Sequence, residues 1–192
     1  MPFRYADWRA EALAVLQQLQ TQTKSVVLVG LSMGGSIVLD LASAEKVAGC
    51  VTINAQILDR GGVVVKLAPL LEKVVPIAPA VAAGLVKNDI KKGGDEDAYA
   101  WVAAAAGNSF VRQLSKLRGR LPELRCPLLV AYSRDDHSVP PANSKAIPAL
   151  VGSQDVTLLE LENSYHVATL DNDLPLLEER IAAFAQRVAN ST

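Results

Sequence analysis

The strongest constraint on this chain is a short stretch, Gly30-Leu31-Ser32-Met33-Gly34-Gly35, set between the apolar run Val26-Val27-Leu28-Val29 and the segment Ser36-Ile37-Val38-Leu39-Asp40-Leu41. A run of strand length that meets a glycine-rich turn and then an apolar helical segment puts Ser32 at the apex of a strand-turn-helix corner. A serine there has a strained backbone and an exposed hydroxyl. Glycines at 30 and 34 are expected because bulkier side chains would collide with the adjacent helix and strand. The corner has the form of a nucleophile elbow, and Ser32 is the candidate nucleophile.

Around this corner the chain alternates strand and helix without internal repeats. Strands are predicted near 26–30, 49–53, 127–132 and 156–161, and helices near 7–21, 34–44, 142–150 and 174–188. Such alternation predicts an α/β fold with a mostly parallel sheet covered by helices on both faces. Asp7 is placed to cap the first helix, whose apolar face is read as Leu13, Val15, Leu16 and Leu19. The last helix carries Leu174, Leu177, Ile181, Phe184 and Val188 on one face. With 192 residues, half of them hydrophobic and a fifth charged, the chain can bury a core of its own.

A serine nucleophile needs a base, and the base needs a carboxylate that orients it. The run Pro127 to Tyr132 reads as a buried strand that opens into the polar loop Ser133-Arg134-Asp135-Asp136-His137-Ser138-Val139-Pro140-Pro141, where the acid belongs. The strand Val156 to Leu161 leads into Asn163-Ser164-Tyr165-His166, where the base belongs. The chain holds two histidines. His166 is the expected base because it sits on a separate loop, whereas His137 adjoins the candidate acids and neighbouring side chains on an extended loop diverge. Asp136 is the expected acid, three residues before Val139, and Asp135 the solvated alternative.

The stretches Gly30 to Gly35, Ser133 to Pro141 and Asn163-Ser164-Tyr165-His166-Val167-Ala168-Thr169-Leu170-Asp171 resemble the bacterial monoacylglycerol lipase and small carboxylesterase group of the α/β-hydrolases. The resemblance runs from about Tyr5-Ala6-Asp7-Trp8 to the C-terminus and is weakest between Ile57 and Leu121. It implies Ser32, Asp136 and His166 as a catalytic triad, esters as substrates, and no cofactor. It also implies an oxyanion hole in which Met33 gives one backbone amide. Members of the group carry a His-Gly element ahead of the elbow strand that gives the other amide, and no segment here matches it. The expectation is an N-terminally shortened member, with the second donor not present in this chain and the elbow strand left as an exposed apolar edge open to self-association.

The stretch between the second and third strands lies, in this fold, over the strand ends to which the elbow points. The expected division is therefore a core of residues 1–56 and 122–192 with a helical cap of residues 57–121. Val63 to Leu71 and Val74 to Val86 make the cap apolar, which fits an acyl-chain pocket with transient contact to lipid surfaces. A membrane span is excluded there, because the 13 residues from Val74 to Val86 contain two prolines and a span needs roughly 18 apolar residues. Lys91-Lys92-Gly93-Gly94-Asp95-Glu96-Asp97 reads as a solvated turn.

A net charge of −1 without a basic block argues against nucleic acid as a partner. Cys50 and Cys126 border strands and read as small buried residues, and no Cys/His spacing suggests a metal. The first residues do not form a secretory signal, so the cytoplasm is the expected location. The competing reading is a catalytically impaired fragment or pseudoenzyme that binds a lipid or a protein partner.

Overall fold

The computed structural model describes residues 3–59, 75–80 and 86–190. Four strands, β1 (Val27–Leu31), β2 (Gly49–Ile53), β5 (Leu128–Ser133) and β6 (Val156–Leu161), form one parallel sheet in the order β1-β2-β5-β6. The register sets Gly30 beside Thr52, Ile53 beside Ala131, and Ser133 beside Leu161, so the strands end at one common edge. All five residues of β2 and all six of β5 are buried, as central parallel strands demand.

Helices cover both faces. Helices α2 (Met33–Ala44), α3 (Ala104–Arg120) and α4 (Ala142–Leu150) lie on one side, where Leu39, Leu117 and Ile147 pack with Cys50, Leu128 and Val130. On the other side α5 (Leu174–Ala189) sets Leu177 against Ile53, Ala131 and Leu161, and Phe184 and Val188 against Val51 and Leu129. This is the face expected of the last helix. Alternate residues of a strand point to opposite faces, which is why Cys50 and Val51 enter different clusters.

The first helix, α1 (Tyr5–Gln22), departs from its expected face. Tyr5 and Leu16 are buried and Trp8, Ala12 and Leu13 pack against Ile37 and Leu41 of α2, while Val15 and Leu19 are exposed. A polar interaction sets this rotation. Asp40, fully buried on α2, accepts hydrogen bonds from the Tyr5 hydroxyl at 3.1 Å, Arg9 Nε at 2.9 Å and Arg120 at 2.5 Å. Burial, and then the Asp40 carboxylate, hold the Tyr5 phenol well above its ordinary pKa. Asp7 does cap, from inside the first turn: its carboxylate accepts the Arg4 amide at 2.8 Å.

The segment from 57 to 121 joins this frame at both ends. Its described part contains a short antiparallel pair, β3 (Ile77–Pro79) with β4 (Trp101–Ala103), and then α3, whose Leu114 and Leu117 are buried. The apolar stretch Val63–Leu71, and Val74 and residues 81–85 of the second stretch, lie outside the described residues. No helix among the described residues is long and apolar enough to cross a membrane.

Candidate active site

The ends of β1, β5 and β6 deliver three side chains to one place. Ser32 follows β1 directly and has φ 54° and ψ −118°, a left-handed backbone that costs a non-glycine residue on the order of 1–3 kcal/mol. The corner is fastened on both sides: the Ser32 amide donates to the Ile53 carbonyl at 2.8 Å, and its carbonyl accepts the Ser36 amide at 3.2 Å. Met33 opens α2, so its amide is one of the first-turn donors without an intrahelical acceptor and lies beside the nucleophile.

The glycines of the corner do not share the expected reason. A Cβ on Gly30 would fall on the Gly34 carbonyl and 2.7 Å from the Gly35 nitrogen, as expected of that position. A Cβ on Gly34 would meet nothing within 4 Å, so the predicted collision there is absent. The second close approach belongs to Gly35, where a Cβ would lie 2.6 Å from the Ala55 Cβ. Helix α2 leaves the turn at an angle that brings its third residue, not its second, against the chain leaving β2.

His166 stands between the other two groups. Its Nε2 is 2.9 Å from Ser32 Oγ and its Nδ1 is 2.8 Å from Asp136 Oδ2. A carboxylate can only accept, so Nδ1 carries the proton and Nε2 is left to accept the serine hydroxyl. The Asp136 side chain is fully buried, and its second oxygen accepts the amides of Ser138 at 2.8 Å and Val139 at 2.6 Å. Three donors thus fix one buried carboxylate in place. Asp135 is half exposed beside Lys91 and Arg134, each 3.8 Å away, and takes no part. His137 instead places Nδ1 2.7 Å from Asp89.

Several polar residues in and around the site carried no signal in the reading of the motifs. Asn54, just past β2, has φ 49° and is buried. Its Oδ1 accepts the Ser133 amide at 2.7 Å, and its Nδ2 donates to Ser133 Oγ at 3.0 Å and to the His166 carbonyl at 2.8 Å. Ser133 Oγ in turn donates to the Tyr165 carbonyl at 2.7 Å. A buried asparagine at the end of a central strand was the only available cue. Asp171 stood inside the histidine motif without an assigned role. It is buried and accepts the amides of Lys91, Lys92, Tyr165 and Asn172 at 2.6–3.0 Å.

No cluster of three or more metal-ligating side chains occurs among the described residues. A serine, a correctly tautomeric imidazole and a buried carboxylate at the C-terminal edge of a parallel sheet form a set suited to nucleophilic attack on a carbonyl.

Comparison with known proteins identifies the family. A family model described as the alpha/beta hydrolase family matches residues 1–187. The thermostable monoacylglycerol lipase of Bacillus sp. (strain H-257) is 29% identical over 194 residues, covering 94% of this chain and 70% of that protein. The human monoglyceride lipase is 26% identical over 189 residues, covering 88% of this chain and 61% of that protein. A solved structure from work on LipS and LipT, two metagenome-derived lipolytic enzymes, superposes with a TM-score of 0.87 at 34% identity, covering 96% of this chain and 74% of the other. The chain belongs to the alpha/beta hydrolase family, among its lipase- and esterase-like hydrolases.

Proposed function

We propose that this chain hydrolyses carboxylic esters through Ser32, His166 and Asp136, with medium-chain acyl esters or monoacylglycerols as the substrate class. The observation that carries the reading is the position of the His166 ring, 2.9 Å from Ser32 Oγ on one side and 2.8 Å from Asp136 on the other. His166 Nε2 takes the Ser32 proton as Oγ attacks the ester carbonyl, and Asp136 stabilises the imidazolium. The Met33 amide faces the developing oxyanion. Collapse of the tetrahedral intermediate passes the proton to the leaving alcohol, and water, deprotonated by the same nitrogen, releases the acid from Ser32.

The substrate class rests on the named relatives and on the apolar composition of residues 57–121, which this reading treats as a cap on the core of 1–56 and 122–192. Tyr99 and Trp101 are exposed there, and Val75 and Ile77 add further exposed apolar surface, which supports transient contact with lipid. The free cysteines support a reducing, cytoplasmic setting.

One observation favours a second reading. Strand β1 pairs with β2 alone among the described strands, and Val29 is half exposed on it. This edge would let a catalytically impaired chain pair with a partner or a second copy. Hydrolysis of p-nitrophenyl butyrate, measured with fluorophosphonate labelling and beside Ser32→Ala, separates the two. Turnover and labelling that vanish in the variant establish the hydrolase. A folded, monomeric wild type that neither turns over nor labels removes it.

A further inference from the structure

Asp89 lies within the cap segment of residues 57–121, yet it reaches both loops that carry the proposed acid and base. Its side chain is almost completely buried. Oδ2 accepts the backbone amide of His166 at 3.3 Å and that of His137 at 3.1 Å, and Oδ1 sits 2.7 Å from His137 Nδ1. The Asp89 carbonyl accepts the amide of Val167 at 3.1 Å. The contact is reciprocated, because Asp171, on the histidine loop, accepts the amides of Lys91 and Lys92 next to Asp89.

We infer that Asp89 is a positioning residue for His166, so that this part of the cap segment must be docked for the imidazole to meet Ser32. The inference rests on the triad reading above. His166 is on an irregular loop, and its ring can be held in line only if its backbone is held. Asn54 fixes the carbonyl and Asp89 fixes the amide, one from the sheet and one from the cap side. Among the described residues no lysine or arginine pairs with this buried carboxylate, which makes it an expensive way to bind two amides. The arrangement gains its use by joining 86–92 to the loops at 133–139 and 163–171. Loss of this tie lets the imidazole drift, and a misplacement of about 1 Å at a reacting group can cost 10²-fold in rate.

The amide of asparagine can replace this carboxylate atom for atom. Its oxygen takes the place of Oδ2 and accepts both backbone amides, and its NH₂ donates to His137 Nδ1 in the other tautomer. Alanine offers none of these contacts. With only two histidines in the chain, the Nδ1–H proton of each can be assigned in NMR spectra from His137→Gln and His166→Gln. In Asp89→Ala the far-downfield proton of His166 is expected to be lost, with kcat down about 10- to 100-fold and KM within twofold of wild type. In Asp89→Asn both are expected to return to within about threefold of wild type.

A folded Asp89→Ala that keeps the His166 proton signal and kcat overturns the inference. If Asp89→Ala does not fold, exchange of the His166 amide with solvent in the wild type decides: slow exchange supports the tie to Asp89, and exchange at the rate of an open loop overturns it. The proton signal and the exchange rate need no turnover, so an inactive wild type would remove the hydrolase reading while leaving this one to be judged.

Discussion

Asn54 Nδ2 lies 2.8 Å from the carbonyl oxygen of His166, 112 residues further along the chain. The same side chain closes on Ser133 with both its oxygen and its nitrogen. Asn54→Ala is expected to leave the buried Ser133 amide without its acceptor, a loss of roughly 1–3 kcal/mol. The left-handed backbone at φ 49° adds about 1 kcal/mol, since alanine tolerates it less well than asparagine. Urea unfolding should show the lower midpoint, and kcat should fall with it because the His166 carbonyl is released.

The proposed triad makes distinct predictions for its members. Ser32→Ala should remove turnover by a factor on the order of 10⁴ to 10⁶ while leaving the unfolding midpoint close to that of wild type, since alanine keeps the same backbone and loses only the hydroxyl's contact with His166. Asp136→Asn should lower kcat by about 10⁴, because an amide in place of the carboxylate permits the wrong imidazole tautomer. Steady-state kinetics on p-nitrophenyl butyrate checks both. Activity in Asp136→Asn matched by loss in Asp135→Asn would show the acid to be misassigned.

The three elbow glycines should respond unequally to alanine. Gly34→Ala is expected to be neutral or to stabilise by up to about 1 kcal/mol, because a helical glycine is replaced in open space. Gly30→Ala and Gly35→Ala press a methyl into backbone and into Ala55 respectively, and each should cost about 1–3 kcal/mol. Thermal denaturation of the three variants ranks them directly.

Acid stability should depend on Asp171. Burial alone would raise its pKa, but four backbone amides outweigh that and the net shift is downward from the ordinary 3.8. A depressed folded pKa means stability that is present above 3.8 and lost as pH falls through the lower folded value. Asp171→Asn should therefore be less stable than wild type at neutral pH, with the difference shrinking below pH 3.8. Unfolding midpoints between pH 7 and about pH 2.5 would show it, and a constant difference across that range would refute the linkage.

Thiol chemistry gives a check on the core. Burial pushes the Cys126 thiol up to about 11 and Cys50 well above its ordinary value. Both should react slowly with a disulfide reagent at pH 8 and quickly once denaturant is added. Rapid native-state modification of Cys50 would place β2 nearer to solvent than the sheet allows.

Local pattern determined much of this protein. Runs of apolar residues with period 2 or 3.6 marked β1, β2, β5, β6, α2, α4 and α5 to within about two residues, because each signal needs only neighbouring side chains to be read. Ser32 was legible for the same reason: strand, turn and helix are adjacent in the chain. His166 and Asp136, rather than His137 and Asp135, are the residues that meet at Ser32, and each stands on a loop just past a strand, which the local pattern could place.

What the tertiary structure alone decided is where distant segments meet. The buried face of α1 followed a salt bridge to Asp40 on another helix, which no periodicity within α1 encodes. The clash expected at Gly34 moved to Gly35 because the angle of α2 against the end of β2 sets it. Asn54, Asp89 and Asp171 drew no attention as single polar residues, and they matter because folding removes water from them and leaves backbone amides and carbonyls of other loops as their partners. A hydrogen bond between residues 48 to 112 positions apart leaves no spacing to read, and its strength comes from the burial that the whole fold creates.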